Sequence, residues 1–232
     1  MIKINRIFSI SFLLTLFLGA NTYAQKINQF NAKGERTGIW KKNYENGKIR
    51  YQGQFKNGKE TGTFKFYEIT SSTQPTIIKE YSETNDTALV KFYSIEGKLK
   101  TRGKMVGKNR EGKWLYYFPD GKIISEENYV GGKLNGVLKN YYPNGKLTEE
   151  THYVNGLKQG TSKVYTEDGT LIEDVNYADD KLHGECKYYN LKGELKEKGK
   201  YKMGIKDGKW EFYMNGKLAK KKKEKLSDFK DN

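Results

Sequence analysis

A glycine returns every 24 residues through the second half of this 232-residue chain, at Gly112, Gly136, Gly160, Gly184 and Gly208. No other feature restricts the fold as tightly. Earlier copies open at Gly38 and Gly62, and Ala88 opens a degenerate copy. The step from 62 to 88 is 26 residues, so that copy carries a two-residue insertion. A period of this length is the mark of a repeat architecture, in which each unit buries its apolar face against its neighbours.

Other residue types keep step with the glycine. Counting the opening residue as position 0, position +2 holds Trp40, Phe64, Val90, Trp114, Leu138, Ser162, Cys186 and Trp210. Position +5 holds Asn43, Tyr67, Tyr93, Tyr117, Tyr141, Tyr165, Tyr189 and Tyr213. In six units position +9 is glycine (Gly47, Gly97, Gly121, Gly145, Gly169, Gly193), and Ile or Leu follows at +11. Position +17 in those units is Phe55, Met105, Tyr129, Tyr153, Tyr177 or Tyr201.

The punctuation between these columns predicts strands. Glu45-Asn-Gly47, Pro119-Asp-Gly121, Pro143-Asn-Gly145 and Glu167-Asp-Gly169 have the chemistry of a type I turn followed by a left-handed glycine. A second turn in each unit falls at Asn57-Gly58, Gly131-Gly132, Asn155-Gly156 and Met203-Gly204. The six to eight residues between turns are rich in Tyr, Phe, Ile and Thr, which suit strands. A turn about every 12 residues leaves no room for a useful helix. The expected fold is all-β: tandem 24-residue β-hairpins stacked into an elongated, curved antiparallel sheet. A single hairpin is marginal in water, so the units hold one another. Two irregularities stand out. Glu68 to Glu80 replaces the Asn-Gly turn with a Ser/Thr/Pro loop, and the last unit reaches its Asn215-Gly216 one residue early.

The run Tyr-Tyr-Pro-Asn-Gly-Lys-Leu at 141–147, continued by Glu150, Tyr153, Asn155-Gly156 and Gly160, resembles the MORN repeat variant found in many bacterial proteins. The resemblance covers about residues 38–218. It implies a scaffold or interaction module of stacked hairpins, with phospholipid contact proposed for some members and an antitoxin-like label given to others.

Outside the repeats, Lys3 and Arg6 precede an uncharged apolar run, Ile7–Ala20, and Thr22-Tyr23-Ala24 offers small residues for cleavage. This reads as a signal peptide over 1–24, which makes the protein exported. No cysteine follows the run, which argues against a lipoprotein. Residues 25–37 read as a lead-in or capping segment, the units start at 38, 62, 88, 112, 136, 160, 184 and 208, and 219–232 reads as a basic tail. Loss of Lys3 and Arg6 with the leader lowers the net charge from +15 to +13. That balance attracts anionic glycans, lipid headgroups or acidic proteins, and export argues against nucleic acid. One cysteine excludes an intrachain disulfide.

No constellation of residues points to catalysis, a metal or a cofactor. His152 and His183 occupy polar positions beside turns, and Cys186 occupies a core column. Carboxylates at Glu126-Glu127, Glu149-Glu150 and Glu173-Asp174 recur at matching offsets, as expected of a solvated sheet stripe. The expected function is a non-enzymatic scaffold for protein partners in the cell envelope. Alternatives are a binder of anionic glycans or lipid headgroups and an immunity protein. The candidate interaction surface is the tyrosine column Tyr117, Tyr141, Tyr165, Tyr189 and Tyr213, with the cluster Lys220, Lys221, Lys222 and Lys223.

Overall fold

The computed structural model describes residues 26–224 apart from Ser72, and side chains as far as Ala219. The signal-peptide segment 1–24 lies outside the described residues. The strands run in chain order: β1 (Gln29–Phe30), β2 (Arg36–Asn43), β3 (Ile49–Lys56), β4 (Lys59–Phe66), β5 (Ile77–Tyr81), β6 (Thr87–Tyr93) and β7 (Leu99–Val106). They continue as β8 (Asn109–Tyr117), β9 (Ile123–Val130), β10 (Lys133–Leu134), β11 (Gly136–Tyr141), β12 (Leu147–Val154) and β13 (Leu157–Tyr165). The last are β14 (Leu171–Ala178), β15 (Lys181–Leu182), β16 (Gly184–Tyr189), β17 (Leu195–Lys202), β18 (Ile205–Met214) and β19 (Lys217–Glu224). Apart from β10 with β11 and β15 with β16, each pairs antiparallel with the next along the chain, giving one open, curved meander. The pairs β10–β11 and β15–β16 are single strands interrupted at Asn135 and His183.

Both turn classes form as the sequence predicts. Gly47, Gly97, Gly121, Gly145, Gly169 and Gly193 take positive φ at the first turn, and the ladder shifts register beside each hairpin built on them. At the second turn Asn57-Gly58, Asn155-Gly156 and Met203-Gly204 have positive φ at both residues, the requirement of a type I′ hairpin. Asp179-Asp180 adopts the same left-handed pair without glycine. Successive turns are tied together: Gly132, Gly156 and Gly204 donate their N–H to carbonyls of Arg110, Leu134 and Leu182, one unit back. On the other margin, Tyr44 and Tyr142 donate hydroxyl hydrogens to the carbonyls of Tyr67 and Tyr165, one unit ahead.

The repeat's opening glycine lies inside a strand at Gly38, Gly62, Gly112, Gly160 and Gly208, and begins one at Gly136 and Gly184. Gly62, Gly112, Gly160 and Gly208 have φ of 62°, 64°, 90° and 70°, and the facing strand shifts register opposite each. Each marks a β-bulge, where an extra residue needs a left-handed backbone. The β5–β6 ladder runs through Ala88 without a shift. The degenerate copy therefore lacks its glycine because it lacks the bulge.

Alternate residues line an inner face, whose centre is one column crossing the sheet. It runs Trp40, Gly53, Phe64, Lys79, Val90, Gly103, Trp114, Glu127, Leu138, Thr151, Ser162, Val175, Cys186, Gly199, Trp210. Large rings sit on glycines: a Cβ on Gly53, Gly103 or Gly199 would stand 2.3–2.4 Å from the ring of Phe64, Trp114 or Trp210. Where the next unit offers a small residue, the partner is larger, as with Thr151 beside Ser162 and Val175 clustered with Cys186. The Thr151 and Ser162 hydroxyls, both buried, hydrogen-bond at 2.6 Å. Trp114 and Trp210 are 1% and 0% exposed, so a single-layered sheet holds a closed core.

The residues before the first repeat unit include β1, which pairs with β2. Phe30 packs edge-on against Trp40 at 5.1 Å, and the Trp40 indole N–H donates to the Gln29 carbonyl. The Asn28 side chain accepts from the Lys41 N–H, standing in for a ladder bond. At the other end the chain departs from expectation. Residues 219–224 belong to β19, paired with β18 from Met214–Lys217 to Gly208–Glu224. The left-handed Asn215-Gly216 turn closes this hairpin one residue early, so the basic stretch is strand there instead of tail. In the second unit the Ser/Thr/Pro stretch forms a loop, and β5 starts within it at Ile77.

Candidate functional site

The two-residue alternation of strands sorts the remaining columns between faces. The inner face carries the +17 aromatics, with cations laid over them. The Arg110 guanidinium lies 4.7 Å from the Trp114 ring centroid and 5.2 Å from that of Tyr129, and it donates to the hydroxyls of Tyr116 and Tyr129 at 2.6 and 2.8 Å. Tyr129 in turn donates its hydroxyl hydrogen to Glu127 at 2.6 Å. Lys206 stands 3.8 Å from the Trp210 ring and Lys158 5.0 Å from that of Tyr177. These contacts cap the core with alkyl stems and satisfied charge.

Adjacent carboxylates in the sequence point to opposite faces, which corrects the solvated-stripe expectation. Glu126, Glu150 and Asp174 face outward, whereas Glu127, Glu149 and Glu173 face the half-buried inner side. Glu149 accepts from the Thr151 hydroxyl and the Asn140 amide. Burial holds the Glu173 carboxyl above its ordinary range, with Lys158 opposing and Glu149 adding to the shift.

The candidate tyrosines Tyr117, Tyr141, Tyr165, Tyr189 and Tyr213 share the outer face and are half-buried rather than freely exposed. Their hydroxyl margins meet an ordered run of charge. Across β9 to β18 the outer column reads Glu126, Lys139, Glu150, Lys163, Asp174, Lys187, Lys198, Glu211. Lys139 reaches Glu150 at 3.0 Å, Lys113 reaches Glu126 at 2.6 Å, and Lys198 reaches Glu211 at 3.1 Å. Tyr213 donates to Glu211 at 2.6 Å, and that bond with the Lys198 contact holds the Glu211 carboxyl down at about 2. Burial, then the neighbouring Glu126 charge, pushes the Tyr141 hydroxyl above its usual value. Two of the tyrosines border open hollows. Tyr117 lines one of about 400 Å³ with Ser94, Lys98 and Phe118, and Tyr189 lines one of about 490 Å³ with Tyr188, Glu173 and Glu197.

The structure does not unite the tyrosines with the lysine cluster. Lys220, Lys221, Lys222 and Lys223 pair by backbone with Phe212, Glu211, Trp210 and Lys209 at the end of the sheet, beside Tyr213 alone among the five. His152 and His183 are exposed, Cys186 is buried in the central column, and none of the three lines either of those hollows. The Cys186 thiol lies 3.4 Å from the Gly199 carbonyl, and burial pushes it up to about 11. Among the described residues no group of three or more His, Cys, Asp or Glu side chains is placed to hold a metal ion.

Sequence reading missed two features of this arrangement. One is the +15 column, although its signal was present: Gly53, Gly103 and Gly199 each precede a core ring by 11 residues. The other is the outer charge column, because no local pattern reveals which strands are neighbours.

A family model described as MORN repeat variant matches residues 36–57, 110–130, 134–155, 158–179 and 182–203. The unmatched stretch 58–109 contains the Ser/Thr/Pro loop and the bulge-free Ala88 copy. No curated protein matches the chain significantly.

Proposed function

We propose that this chain, built from units of the MORN repeat variant, is a non-enzymatic exported scaffold that docks protein partners of the cell envelope on its outer face. One observation carries the reading: five half-buried tyrosines stand in register beside a charged column in which lysine and carboxylate alternate from Glu126 to Lys187. Tyrosine supplies large contact area at small entropy cost, and ordered charge selects partners more than it adds affinity. The signal-like residues 1–24 motivate the exported location.

The test is capture from envelope extracts by the chain and by a variant carrying Tyr141→Ser, Tyr165→Ser and Tyr189→Ser. Partners held by the wild type are expected to be lost from the serine variant. A second variant with phenylalanine at the same positions guards against unfolding, since it keeps the rings. Equal capture by wild-type and serine chains, with circular dichroism unchanged, would refute the proposal.

A further inference from the structure

The outer column changes character along the sheet. Position +3 is lysine in six units: Lys41, Lys65, Lys91, Lys139, Lys163 and Lys187. Its cross-strand neighbour at +14 is acidic only from β9 onward, as Glu126, Glu150 and Asp174. Over β3, β5 and β7 the cross-strand neighbour is Gln52, Ile78 (at +16 after the insertion) and Arg102. From β2 to β7 the column therefore runs Lys41, Gln52, Lys65, Ile78, Lys91, Arg102 with no carboxylate in it. Lys91 is paired with Glu80 at 3.0 Å. Among the described residues Lys41, Lys65 and Arg102 have no ion-pair partner. Lys41, Lys65 and Arg102 thus stand on one line without the carboxylates that neutralise the same lysine column from β9 onward.

We infer that the outer face of β2–β7 is a docking track for a linear acidic glycan carrying one negative charge on every second sugar. Lys41, Lys65 and Lys91 lie on β2, β4 and β6, every second strand, and so recur at about 9.5 Å along a line crossing the strands. A disaccharide repeat keeps step with that spacing. An extended acidic peptide presents charges on one face every 6.6 Å or so and does not. Half-buried rings lie alongside: Tyr93 beside Lys91, and Tyr117 with its ring centroid 5.8 Å from the Arg102 guanidinium. They offer flat apolar faces to sugar rings. Lys65, Lys91 and Arg102 fall in the 58–109 stretch outside the matched repeats, so the track belongs to this chain's departures from the repeat. The inference rests on the chain being a binding scaffold. It uses other strands than the Tyr141–Tyr189 face, so either site can fail alone.

The test titrates the full chain with a hyaluronan decasaccharide at low and high salt, beside polyglutamate of equal charge and vesicles of phosphatidylcholine with phosphatidylglycerol. A variant with Lys41→Gln, Lys65→Gln and Arg102→Gln is compared with a control of equal charge, Lys139→Gln, Lys163→Gln and Lys187→Gln. The first is expected to weaken hyaluronan binding about tenfold, and the control less than about threefold. Circular dichroism of both variants is expected to match the wild type. Equal losses in the two variants would mean a diffuse field and overturn the track. So would absence of hyaluronan binding at low salt, or polyglutamate or vesicles bound more tightly through the same three cations.

Discussion

At Gly199 the reason for a glycine is the Trp210 ring. An added Cβ would stand 2.4 Å from ring atoms of a side chain that is 0% exposed, so the ring has nowhere to retreat. Gly199→Ala is expected to cost about 1–3 kcal/mol through overpacking and to lower the thermal midpoint by roughly 2–10 °C. Differential scanning calorimetry checks it. Glu173 poses the opposite problem, a carboxylate held where water is scarce. Its folded pKa is raised, mainly by burial. A raised carboxyl contributes stability that is complete below the ordinary value of about 4.3 and lost as pH rises through the folded value. Glu173→Gln is therefore expected to raise the melting temperature at pH 7 and leave it unchanged near pH 3.5. Equal gains at both pH values would show that the charge is not the cause.

At the scale of the element, the bulge strand is the unit of construction. Gly160 has φ of 90° and only the His152 Cβ within 4 Å, at 3.8 Å, so the obstacle to a side chain there is backbone strain and not space. Gly160→Ala is expected to cost about 1–2 kcal/mol, read by chemical denaturation, and Ala88→Gly in the bulge-free ladder about 1–2 kcal/mol, from the lost buried methyl and the freer backbone. The strands and both turn classes were legible in the sequence because Asn-Gly, Asp-Gly and Pro-Asn-Gly act through local torsions. Hairpin boundaries were less so. Five of the opening glycines that set the period lie mid-strand, and Asp179-Asp180 takes a left-handed turn that its residues do not advertise. The basic run after Asn215-Gly216 looked like a solvated tail because lysines alone give no strand signal. Pairing with β18 decides it.

For the molecule as a whole, neighbours along the sheet replace the second layer that most domains use. A core ring meets a glycine 11 residues before it, and a turn ties to the turn one unit away, so stability propagates unit by unit. The candidate site was half legible. The tyrosine column was plain from its period, but its half-burial and its separation from Lys220–Lys223 were not. The sequence by itself determined the period, the strand character, the turns and the +2 members of the core column, because each depends on torsions or side-chain types confined to a few residues. Only the tertiary structure decided which of two adjacent carboxylates faces inward and which lysines have lost their acidic neighbour. Those facts depend on register, and register joins residues that lie 11 to 13 positions apart in the chain.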